Sequence, residues 1–427
     1  MSICAMIIMA LLFFAESFAF LKTTVSTGIV VDMNKEPLLA LNFNLTFFDL
    51  ECDYLSVDLW DVLGTNRQNV TKDVVKWTVD SHGNRGTFAG RNREMQEVVD
   101  EVHEETLEEL HQDGVYATDL DIGNYKKYME NHKLVFVDFY ASWCIWCQRL
   151  HPTWEKFAQK AYDEKLKVKV VKVDCVKEQQ LCREMNVRAF PTLRWYEEFK
   201  PILDYRMDRT VDALIEFSKR KTELYGKKNS NPKLQERIKK SRQPEHNGCE
   251  VSGTLMVNRV PGNFHIEAKS KSHNINAAMA NLTHRVNHLS FGTPVSKMER
   301  NFKRILKQVP ENLRKFNILD GKTYPIEQNH QAHHHYIKVV STHFDIDNSI
   351  PPMYQFLEQS QVVHYRDFNV PEARFSYDMS PMSVTVQKVG RRWYDYLTSI
   401  CAIIGGTFTT LGLIDAALYK VLKPKKM

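Results

Sequence analysis

The sequence predicts an α/β domain inserted into a β-rich (α+β) domain, with a transmembrane helix at each end of the chain. Three observations support this fold class. Cys144 and Cys147 form a Cys-x-x-Cys motif that follows an apolar strand and opens an amphipathic helix. Short runs of β-type residues lie on both sides of the motif, and an apolar segment lies at each end. The order of these patterns gives the order of the domains.

Length and composition are typical of a globular protein with two or three domains. The chain has 427 residues, of which 43% are hydrophobic, and its net charge of +5 is too small to indicate nucleic-acid binding. The most basic stretch, 219–242, is interrupted by Gly226 and Pro232. We interpret it as a solvated linker and helix, with a protein or lipid-headgroup contact as the alternative. We expect no nucleic-acid partner and no cofactor.

The two apolar ends are both long enough to cross a bilayer. Residues 1–21 are almost entirely apolar, and we predict a retained anchor; a cleaved signal peptide is the alternative, although the segment lacks a positive n-region. Residues 396–419 form the second segment, and the basic flank after it assigns the tail to the cytosol. The region between the two spans is then luminal.

Glycosylation acceptors between the apolar segments, and one acid within each segment, provide further evidence on the membrane topology. Three Asn-x-Thr acceptors for N-glycosylation lie between the spans, at Asn44, Asn69 and Asn281, which agrees with a luminal location. Glu16 and Asp415 are costly inside a bilayer, so each either meets a partner helix or reaches the membrane edge.

The eight cysteines fall into groups that indicate an oxidising compartment. Cys4 and Cys401 lie in the apolar segments, and the other six can be divided into three bonds. They comprise the motif, the neighbouring Cys175 and Cys182, and the distant pair Cys52 and Cys249.

The Cys-x-x-Cys motif has the features of a dithiol/disulfide redox site. Unpaired N–H groups in the first turn of a helix favour a thiolate on Cys144, which makes it the nucleophile. Cys147 lies one turn deeper and suits the resolving thiol. The alternatives are half of a zinc site, which has no ligand partner in the surrounding hundred residues, and a purely structural disulfide. The strand-to-helix context favours redox chemistry.

The region around the motif alternates helices and strands and predicts a central mixed sheet with helices on both faces. The predicted helices and strands are 123–131, 134–141, 144–164, 167–174, 192–196 and 211–225.

Three stretches of this region, VDFYASWCIWCQRLHPTWEKFA (137–158), VKVDC (171–175) and VRAFPTL (187–193), resemble the thioredoxin-like a-type domain of protein disulfide isomerases. The resemblance covers roughly residues 114–227. It implies that the bond before Pro191 is cis and that this proline shapes the substrate groove beside the disulfide. It also implies a structural disulfide between Cys175 and Cys182, for which a free pair is the alternative.

The same resemblance implies roles for three charged residues. Asp138 and Lys172 correspond to the buried acid and lysine beneath the resolving cysteine, where the carboxylate exchanges a proton with Cys147. An ordinary polar residue on the solvent face is the alternative for Asp138. Arg209 corresponds to the mobile arginine that transiently stabilises the resolving thiolate.

The residues between the two cysteines depart from the isomerase pattern. Many members of the family have Gly-His there, and this chain has Ile145-Trp146. Without the imidazole the disulfide is expected to be less oxidising, so reductase or isomerase activity is as compatible with the motif as oxidase activity. Trp143 and Trp146 either present apolar surface to unfolded substrate or simply pack.

The two flanking halves resemble the ERGIC/Erv cargo-receptor family of ER-to-Golgi vesicles. The resemblance lies in CDYLSVDLWDVLG, GCEVSGTLMVNRVPGNFHI, HRVNHLSFG, ARFSYDMSPM and LTSICAIIGGTFTTLGLID. A redox domain between such halves is similar to the membrane-bound disulfide isomerases of plants and protists. In that resemblance Cys52 and Cys249 belong to one domain and pair across the insertion.

The resulting domain boundaries divide the chain into seven parts. They are a first transmembrane helix at 1–21, an N-terminal luminal half at 22–112, the thioredoxin-like domain at 113–227, a linker at 228–246, a C-terminal luminal half at 247–393, a second transmembrane helix at 394–420 and a cytosolic tail at 421–427. A charged helix is expected at 91–112.

Two further motifs complete the list of candidates. Lys423 and Lys425 in the tail resemble a dilysine retrieval signal read by the vesicle coat, and a generic positive flank is the alternative. The histidines at His330 and 333–335 invite a metal site, but adjacent residues on a strand face opposite ways and no acidic or cysteine partner is evident, so we predict no metal.

The predicted protein is a membrane-anchored thiol-disulfide oxidoreductase of the early secretory pathway, in the membrane of the endoplasmic reticulum or the ER–Golgi intermediate compartment. Its expected partners are secretory client proteins, the membrane, the vesicle coat, and a homo- or hetero-oligomer. The alternative is an ER–Golgi cargo or retrieval receptor whose redox domain mainly binds clients.

Overall fold

A computed structural model of the chain describes residues 2–33, 36–67, 73–80, 83–91, 98–101, 117–230, 248–293, 306–307, 309, 311, 314–345, 351–366 and 369–422. Its α-helices are α1 (Ser2–Leu21), α2 (Tyr125–Asn131), α3 (Ile145–Asp163), α4 (Gln179–Glu184), α5 (Val211–Ser230) and α6 (Trp393–Leu422). Its strands are β1 (Thr24–Val31), β2 (Leu38–Phe47), β3 (Leu55–Asp61), β4 (Asn66–Arg67), β5 (Val74–Val79), β6 (Arg85–Arg91), β7 (Thr118–Asp119), β8 (Leu134–Tyr140), β9 (Lys169–Asp174), β10 (Ala189–Phe190), β11 (Thr192–Glu197), β12 (Lys200–Asp204), β13 (Gly248–Asn258), β14 (Gly262–Ala268), β15 (Asn274–Ile275), β16 (His284–Phe291), β17 (Thr323–Tyr324), β18 (Gln331–Phe344), β19 (Met353–His364), β20 (Glu372–Met379) and β21 (Met382–Val389).

The inserted domain has the predicted mixed sheet, with strand order β12-β11-β8-β9-β7. Strand β8 is parallel to β9 and antiparallel to β11. Its side chains alternate between two hydrophobic clusters, because successive residues of a strand point to opposite faces. Val137 and Phe139 join one cluster, and Phe136 packs with Trp154 and Trp195 in the other. Burial on both faces explains why β8 reads as an almost continuous apolar run.

The predicted boundaries in this domain either match the structure or differ from it by at most five residues. The largest difference is at the end of α5, which extends to Ser230 rather than 225. Cys144 precedes α3 as its N-cap instead of being its first residue, since its φ and ψ are extended and its sulfur accepts a hydrogen bond from the Cys147 N–H. The nucleophile therefore stands at the helix entrance.

The flanking halves form one β-rich domain with two packed sheets. One sheet has the order β17-β16-β2-β13-β5-β6, and the other has the order β1-β21-β18-β20-β14-β3-β4 with β19 beside β18. Strand β13, which follows the insertion, pairs with β2 and β5, which precede it. A shared core joins both sheets; in it Phe264 stacks on Phe375 and contacts Phe43. The inserted domain therefore interrupts the sequence of this domain and not its sheets.

The two terminal helices lie side by side. Tyr396 of α6 stacks on Phe20 of α1 with ring centroids 4.4 Å apart, and its hydroxyl lies 2.8 Å from the Ser17 hydroxyl. Glu16 accepts a hydrogen bond of 2.6 Å from Arg391, so this carboxylate has a partner at the helix end. Asp415 lies on α6, and this carboxylate makes no ion pair with any of the described residues.

The described part of the chain has one helix that is long and apolar enough to span a membrane, Trp393–Ala417. Among the described side chains of α1, Ile7–Leu21 forms a shorter apolar helical segment. Most of the charged helix predicted at 91–112 and of the linker at 228–246 lies outside the described residues.

Candidate redox site

The two thiols of the motif lie between the start of α3 and the loop before β11. The backbone N–H of Cys147 donates to the Cys144 sulfur at 3.3 Å, and the Cys144 thiol lies 3.5 Å from the carbonyl oxygen of Phe190. The Phe190–Pro191 peptide bond is cis, as the resemblance implied. Both cysteines are free thiols in the structure, so it represents the reduced state of the site.

The two thiols have opposite acidities. The hydrogen bond from the Cys147 thiol, helped by the backbone N–H groups of Cys147 and Trp146, lowers the pKa of Cys144 to about 7 against the effect of burial. Burial raises the pKa of Cys147 far above its ordinary value, and its hydrogen bond to Cys144 adds to this. Near neutral pH Cys144 therefore has a large thiolate fraction, and Cys147 keeps its proton.

Asp138 lies inside the domain and not on the solvent face. It is 2% exposed, and burial raises its pKa to about 8 even though the charges of Arg209 and Lys172 oppose the shift. Its Oδ1 has no hydrogen-bond partner among the described residues. The charge of Asp138 also raises the pKa of Cys147, so the two groups are electrostatically coupled. A carboxyl with a pKa near 8 is suited to exchange a proton close to neutral pH.

Lys172 lies opposite Asp138 in the β8–β9 register, but its ammonium group bonds to another acid. It donates to Oε1 of Glu155 at 2.7 Å, and both side chains are buried. The other Glu155 oxygen accepts from the N–H of Ala117 at 3.1 Å. The sequence analysis missed Glu155. Its place beside Trp154 on the apolar face of α3 was the available signal, because an acid there needs a buried partner.

Arg209 is held in the contact between the two domains. It is 3% exposed, and its guanidinium donates to the carbonyl oxygen of Ser272 at 2.9 Å and to Nε2 of His273 at 2.8 Å. Asp100 lies 3.6 Å away. In this state the arginine is bonded to the β-rich domain, and the transient role at the resolving thiolate that the resemblance implied stays a prediction. Its charge still reaches the site, since it lowers the pKa of Asp138.

The two tryptophans of the motif have different environments. Trp143 is 52% exposed and meets the Phe190 ring edge-on at 6.0 Å. Trp146 is partly buried, and the guanidinium of Arg149 lies 4.9 Å from its ring centroid. Trp146 and Arg149 line a cleft of about 850 Å³ that continues to the β-rich domain, with further walls from Val98, Val99, Asp100, Glu101, Gln148, Pro152, Lys271 and Ser272.

Two disulfide bonds join the pairs that the resemblance implied. Cys52 bonds to Cys249 across the insertion, and Cys175 bonds to Cys182 between β9 and α4. The six cysteines between the terminal helices therefore form two bonds and one dithiol in this state.

The remaining candidate residues lie away from the thiols. Asn44 lies on β2, and its side-chain N–H donates to a carboxylate oxygen of Glu250 at 2.9 Å. The side-chain oxygen of Asn281 accepts a hydrogen bond from the Thr283 N–H at 2.8 Å. Three predicted sites, Asn69, Lys423 and Lys425, lie outside the described residues.

Three of the four histidines considered for metal binding, His333, His334 and His335, have side-chain partners in the protein, whereas Nδ1 of His330 has none among the described residues. A nitrogen of His335 lies 3.0 Å from a Glu358 oxygen, and its other nitrogen lies 3.2 Å from the buried His284. His333 lies 3.0 Å from the carbonyl oxygen of Pro325. The acid at Glu358 is a partner that the sequence analysis did not find.

A separate set, Asp58, His265 and Glu267, holds possible ligand atoms within 4.8 Å of one another. The ammonium of Lys269 lies 3.1 Å from Glu267 and 3.8 Å from Asp58, so a lysine already supplies positive charge at this place.

Comparison with known proteins divides the chain in the same way as the fold. The model of the thioredoxin family matches residues 117–220, that of the Endoplasmic Reticulum-Golgi Intermediate Compartment (ERGIC) family matches 1–68, and that of the endoplasmic reticulum vesicle transporter family matches 216–415.

Full-length relatives combine the same parts. Protein disulfide-isomerase 5-4 of Arabidopsis thaliana is 32% identical over 98% of this chain and 91% of its own length. The chain belongs to the protein disulfide isomerase 5 family. Protein disulfide isomerase-like 5-4 of Oryza sativa subsp. japonica is 30% identical over 99% of this isomerase and 92% of its own length. The crystal structure of Erv41p covers 84% of the isomerase and 98% of its own chain, with 13% identity and a TM-score of 0.38.

The family membership gives the activity and the setting of the site. The chain is a protein disulfide isomerase, with a thioredoxin domain inserted into an Erv-like β-rich domain, and it belongs to the membranes of the early secretory pathway.

Proposed function

We propose that this isomerase exchanges disulfides in secretory client proteins through a mixed disulfide on Cys144, which Cys147 resolves. The observation that supports this assignment best is the contrast between the two thiols. Cys144 accepts N–H hydrogen bonds at a helix entrance and has a pKa of about 7, while Cys147 is buried near Asp138 with a raised pKa. A nucleophile and a resolving thiol need this difference.

The reaction consists of two thiol–disulfide exchanges. The Cys144 thiolate attacks one sulfur of a client disulfide; a bond forms between them, and the other client sulfur leaves as a thiolate. Isomerisation follows when a second client thiolate attacks the mixed disulfide and releases Cys144. Alternatively, Cys147 gives its proton to Asp138 and attacks Cys144, which leaves the client reduced and the motif oxidised. The reverse sequence oxidises a client dithiol.

The supporting residues act around these steps. Lys172 and Glu155 neutralise each other beneath the sheet, so that Asp138 is the buried acid left to exchange a proton. Pro191 shapes the groove beside Cys144, and the exposed Trp143 offers apolar surface to an unfolded client. Trp146 borders the neighbouring cleft.

Acidity also bears on the direction of electron flow. The attacking thiol works best when its pKa is close to the ambient pH, because a more acidic thiolate is less nucleophilic. A pKa of about 7 for Cys144 therefore supports isomerisation and reduction more than strong oxidation.

We propose that both terminal helices anchor the isomerase, with 1–21 and 394–420 spanning the membrane, the region between them luminal and 421–427 cytosolic. The contact of Glu16 with Arg391 supports this arrangement, since it gives the acid of the first helix a partner. Within the luminal region, 22–112 and 247–393 serve as the two halves of the β-rich domain around 113–227, with 228–246 as the linker. Glycans on Asn44, Asn69 and Asn281 and a retrieval signal at Lys423 and Lys425 complete this proposal.

A second function, cargo or retrieval receptor, is favoured by the ERGIC and vesicle-transporter matches of the flanking halves. In this case the redox domain mainly binds clients, and the Cys144 thiol is dispensable. Association with the vesicle coat and with other chains belongs to this function.

Trapping separates the two functions. The full-length Cys147→Ala variant, expressed in the early secretory pathway, is expected to accumulate client adducts that a reductant releases, because its mixed disulfide has no internal resolving thiol. The matched control is the Cys144→Ala/Cys147→Ala variant, which should form none. If Cys147→Ala carries no reduction-sensitive adducts above this control, the receptor function is favoured and exchange through Cys144 is excluded.

A further inference from the structure

The edge of the redox site is occupied by a segment of the β-rich domain. Strand β15, at Asn274–Ile275, pairs antiparallel with β10, in the register Ala189 to Ile275 and Phe190 to Asn274. The pairing is extended by the N–H of Asn276, which donates to the carbonyl oxygen of Arg188 at 2.8 Å. This segment comes from the polypeptide after the insertion and not from the inserted domain.

The occupied edge adjoins the nucleophile. Strand β10 immediately precedes the cis Pro191, and the carbonyl oxygen of Phe190 lies 3.5 Å from the Cys144 sulfur. An extended peptide binds an exposed strand edge through main-chain hydrogen bonds. A client cysteine presented in this way would be brought to Cys144 at the place where Asn274 now lies.

The same segment closes off the nucleophile. Asn274 pairs with Phe190, whose carbonyl oxygen lies 3.5 Å from the Cys144 sulfur, and the backbone N–H of Asn274 helps to lower the pKa of Cys144. Cys144 is 0% exposed, although the neighbouring Trp143 and Ile145 are each about half exposed. Because the attacking thiolate must reach a client sulfur directly, exchange cannot begin while β15 covers it.

Polar contacts on both sides of the site hold the two domains in this position. Arg209 donates to Ser272 and His273, just before β15. Arg188 donates to the carbonyl oxygen of Asp49. Each of these contacts joins the inserted domain to a different part of the β-rich domain.

A third arginine makes an ion pair across the same contact. Arg206 binds the carboxylates of Asp53 and Glu51, the latter at 2.5 Å. An exposed or half-exposed ion pair contributes little free energy to a contact. Ion pairs of this kind therefore allow the two domains to separate reversibly at this edge.

We propose that the 272–276 segment is a built-in substitute for a client peptide, which holds the isomerase closed until an extended, cysteine-containing client segment displaces it from β10. The proposal rests on exchange through Cys144 as its function. It makes client binding and uncovering of the nucleophile one event: the client takes over the hydrogen bonds of Asn274 and Ile275 on β10, and the two domains separate at this edge.

Alkylation of Cys144 in the reduced full-length protein tests the closure without any client. Iodoacetamide labelling is followed by mass spectrometry of the Cys144 peptide. The Arg206→Glu variant places a negative charge against Glu51 and Asp53, so it is expected to label Cys144 at least several-fold faster than wild type. Adding Asp53→Arg to this variant should return the rate toward the wild-type value, because one ion pair is restored with reversed charges.

Two further variants serve as a charge-change control and as a second way to weaken the contact. Lys160→Glu reverses a charge in an exposed ion pair with Asp212 inside the inserted domain and should leave the labelling rate unchanged. Asn276→Ala removes a side-chain hydrogen bond of 3.2 Å to the Val187 carbonyl without introducing repulsion, and it should accelerate labelling even if Arg206→Glu fails to fold.

The closure is overturned if neither Arg206→Glu nor Asn276→Ala, as folded proteins, labels Cys144 faster than wild type. The outcome is independent of the proposed function. If these variants label faster but the Cys147→Ala variant forms no client adducts, exchange through Cys144 is contradicted. The proposal that the 272–276 segment covers Cys144 is then still supported.

Discussion

Cys144 and Cys147 belong to the same turn of chain but differ in what surrounds each sulfur. Cys144 accepts a backbone N–H hydrogen bond at the entrance to α3. Cys147 is inside the domain near Asp138, whose Oδ1 has no hydrogen-bond partner among the described residues. Burial and a negative neighbour both penalise a second thiolate. The motif therefore needs Asp138 for the step in which Cys147 becomes a nucleophile.

Asp138→Asn is expected to slow the resolving step and not the first attack. Because general-base assistance typically contributes about 10²-fold or more, the mixed disulfide should persist roughly 10²-fold longer near pH 7, while alkylation of Cys144 changes little. Quenched-flow measurement of mixed-disulfide decay checks this. Asp119→Asn, a change at an exposed acid 3.8 Å from Lys172, is the matched control and should leave decay unchanged. Equal decay rates in the two variants would contradict the assignment of Asp138.

The pH dependence of the free energy of unfolding tests whether Asp138 is buried and protonated in the folded protein. Its pKa is about 8 in the folded protein and 3.8 as the ordinary value, so between these pH values the folded state holds a proton that the unfolded state has lost. The group then lowers the free energy of unfolding as pH rises, with a slope of about 1.4 kcal/mol per pH unit. Asp138→Asn should gain stability over wild type from pH 5 to pH 8 in thermal unfolding. A constant difference would show that the carboxyl is ionised throughout.

The strands and helices follow closely from the sequence where a periodic apolar pattern lies between clear ends. Helix α3 has such a pattern, β8 is a continuous apolar run of strand length, and the motif between them identified both thiols. Helix ends were less well predicted. Gly226, a residue type that often ends helices, follows the predicted end at 225, but α5 continues through it to Ser230.

Features that depend on two distant parts of the chain could not be predicted from the residues alone. The pairing of β10 with β15 joins residues on either side of α5 and the linker, and neither dipeptide has a strand pattern of its own. The position of Arg209 has the same origin, because its partners Ser272 and His273 belong to the other domain. The helix and strand propensities of neighbouring residues contain no information about contacts between distant parts of the chain.

The two disulfides are expected to contribute unequally to stability because they close loops of different length. Cys52–Cys249 has a sequence separation of 197 residues and Cys175–Cys182 a separation of 7. Chain-entropy arguments give about 5 kcal/mol for the long loop and about 2.5 kcal/mol for the short one. Denaturant unfolding of Cys52→Ala/Cys249→Ala should show the larger loss, with Cys175→Ala/Cys182→Ala as the matched variant. A larger loss in the second variant would mean that the long disulfide does not constrain the unfolded chain.

The molecule as a whole combines a redox domain with the scaffold of a vesicle protein. The insertion leaves the β-rich domain intact, since β13 returns to the strands that precede it. It also brings the thiols against β15, so the scaffold controls access to the reaction as well as location. This arrangement explains why an isomerase would retain a complete Erv-like domain on both sides of its active site.

Isomerisation of a scrambled client by the purified full-length protein tests the central claim most directly. A secretory protein with mispaired disulfides is incubated with the isomerase in a glutathione buffer, and recovery of its native pairing is followed by mass spectrometry. Wild type is expected to accelerate recovery well above buffer alone, and Cys144→Ala is expected to fall to the buffer rate. If Cys144→Ala recovers native pairing as fast as wild type, exchange through Cys144 is not the activity of this protein.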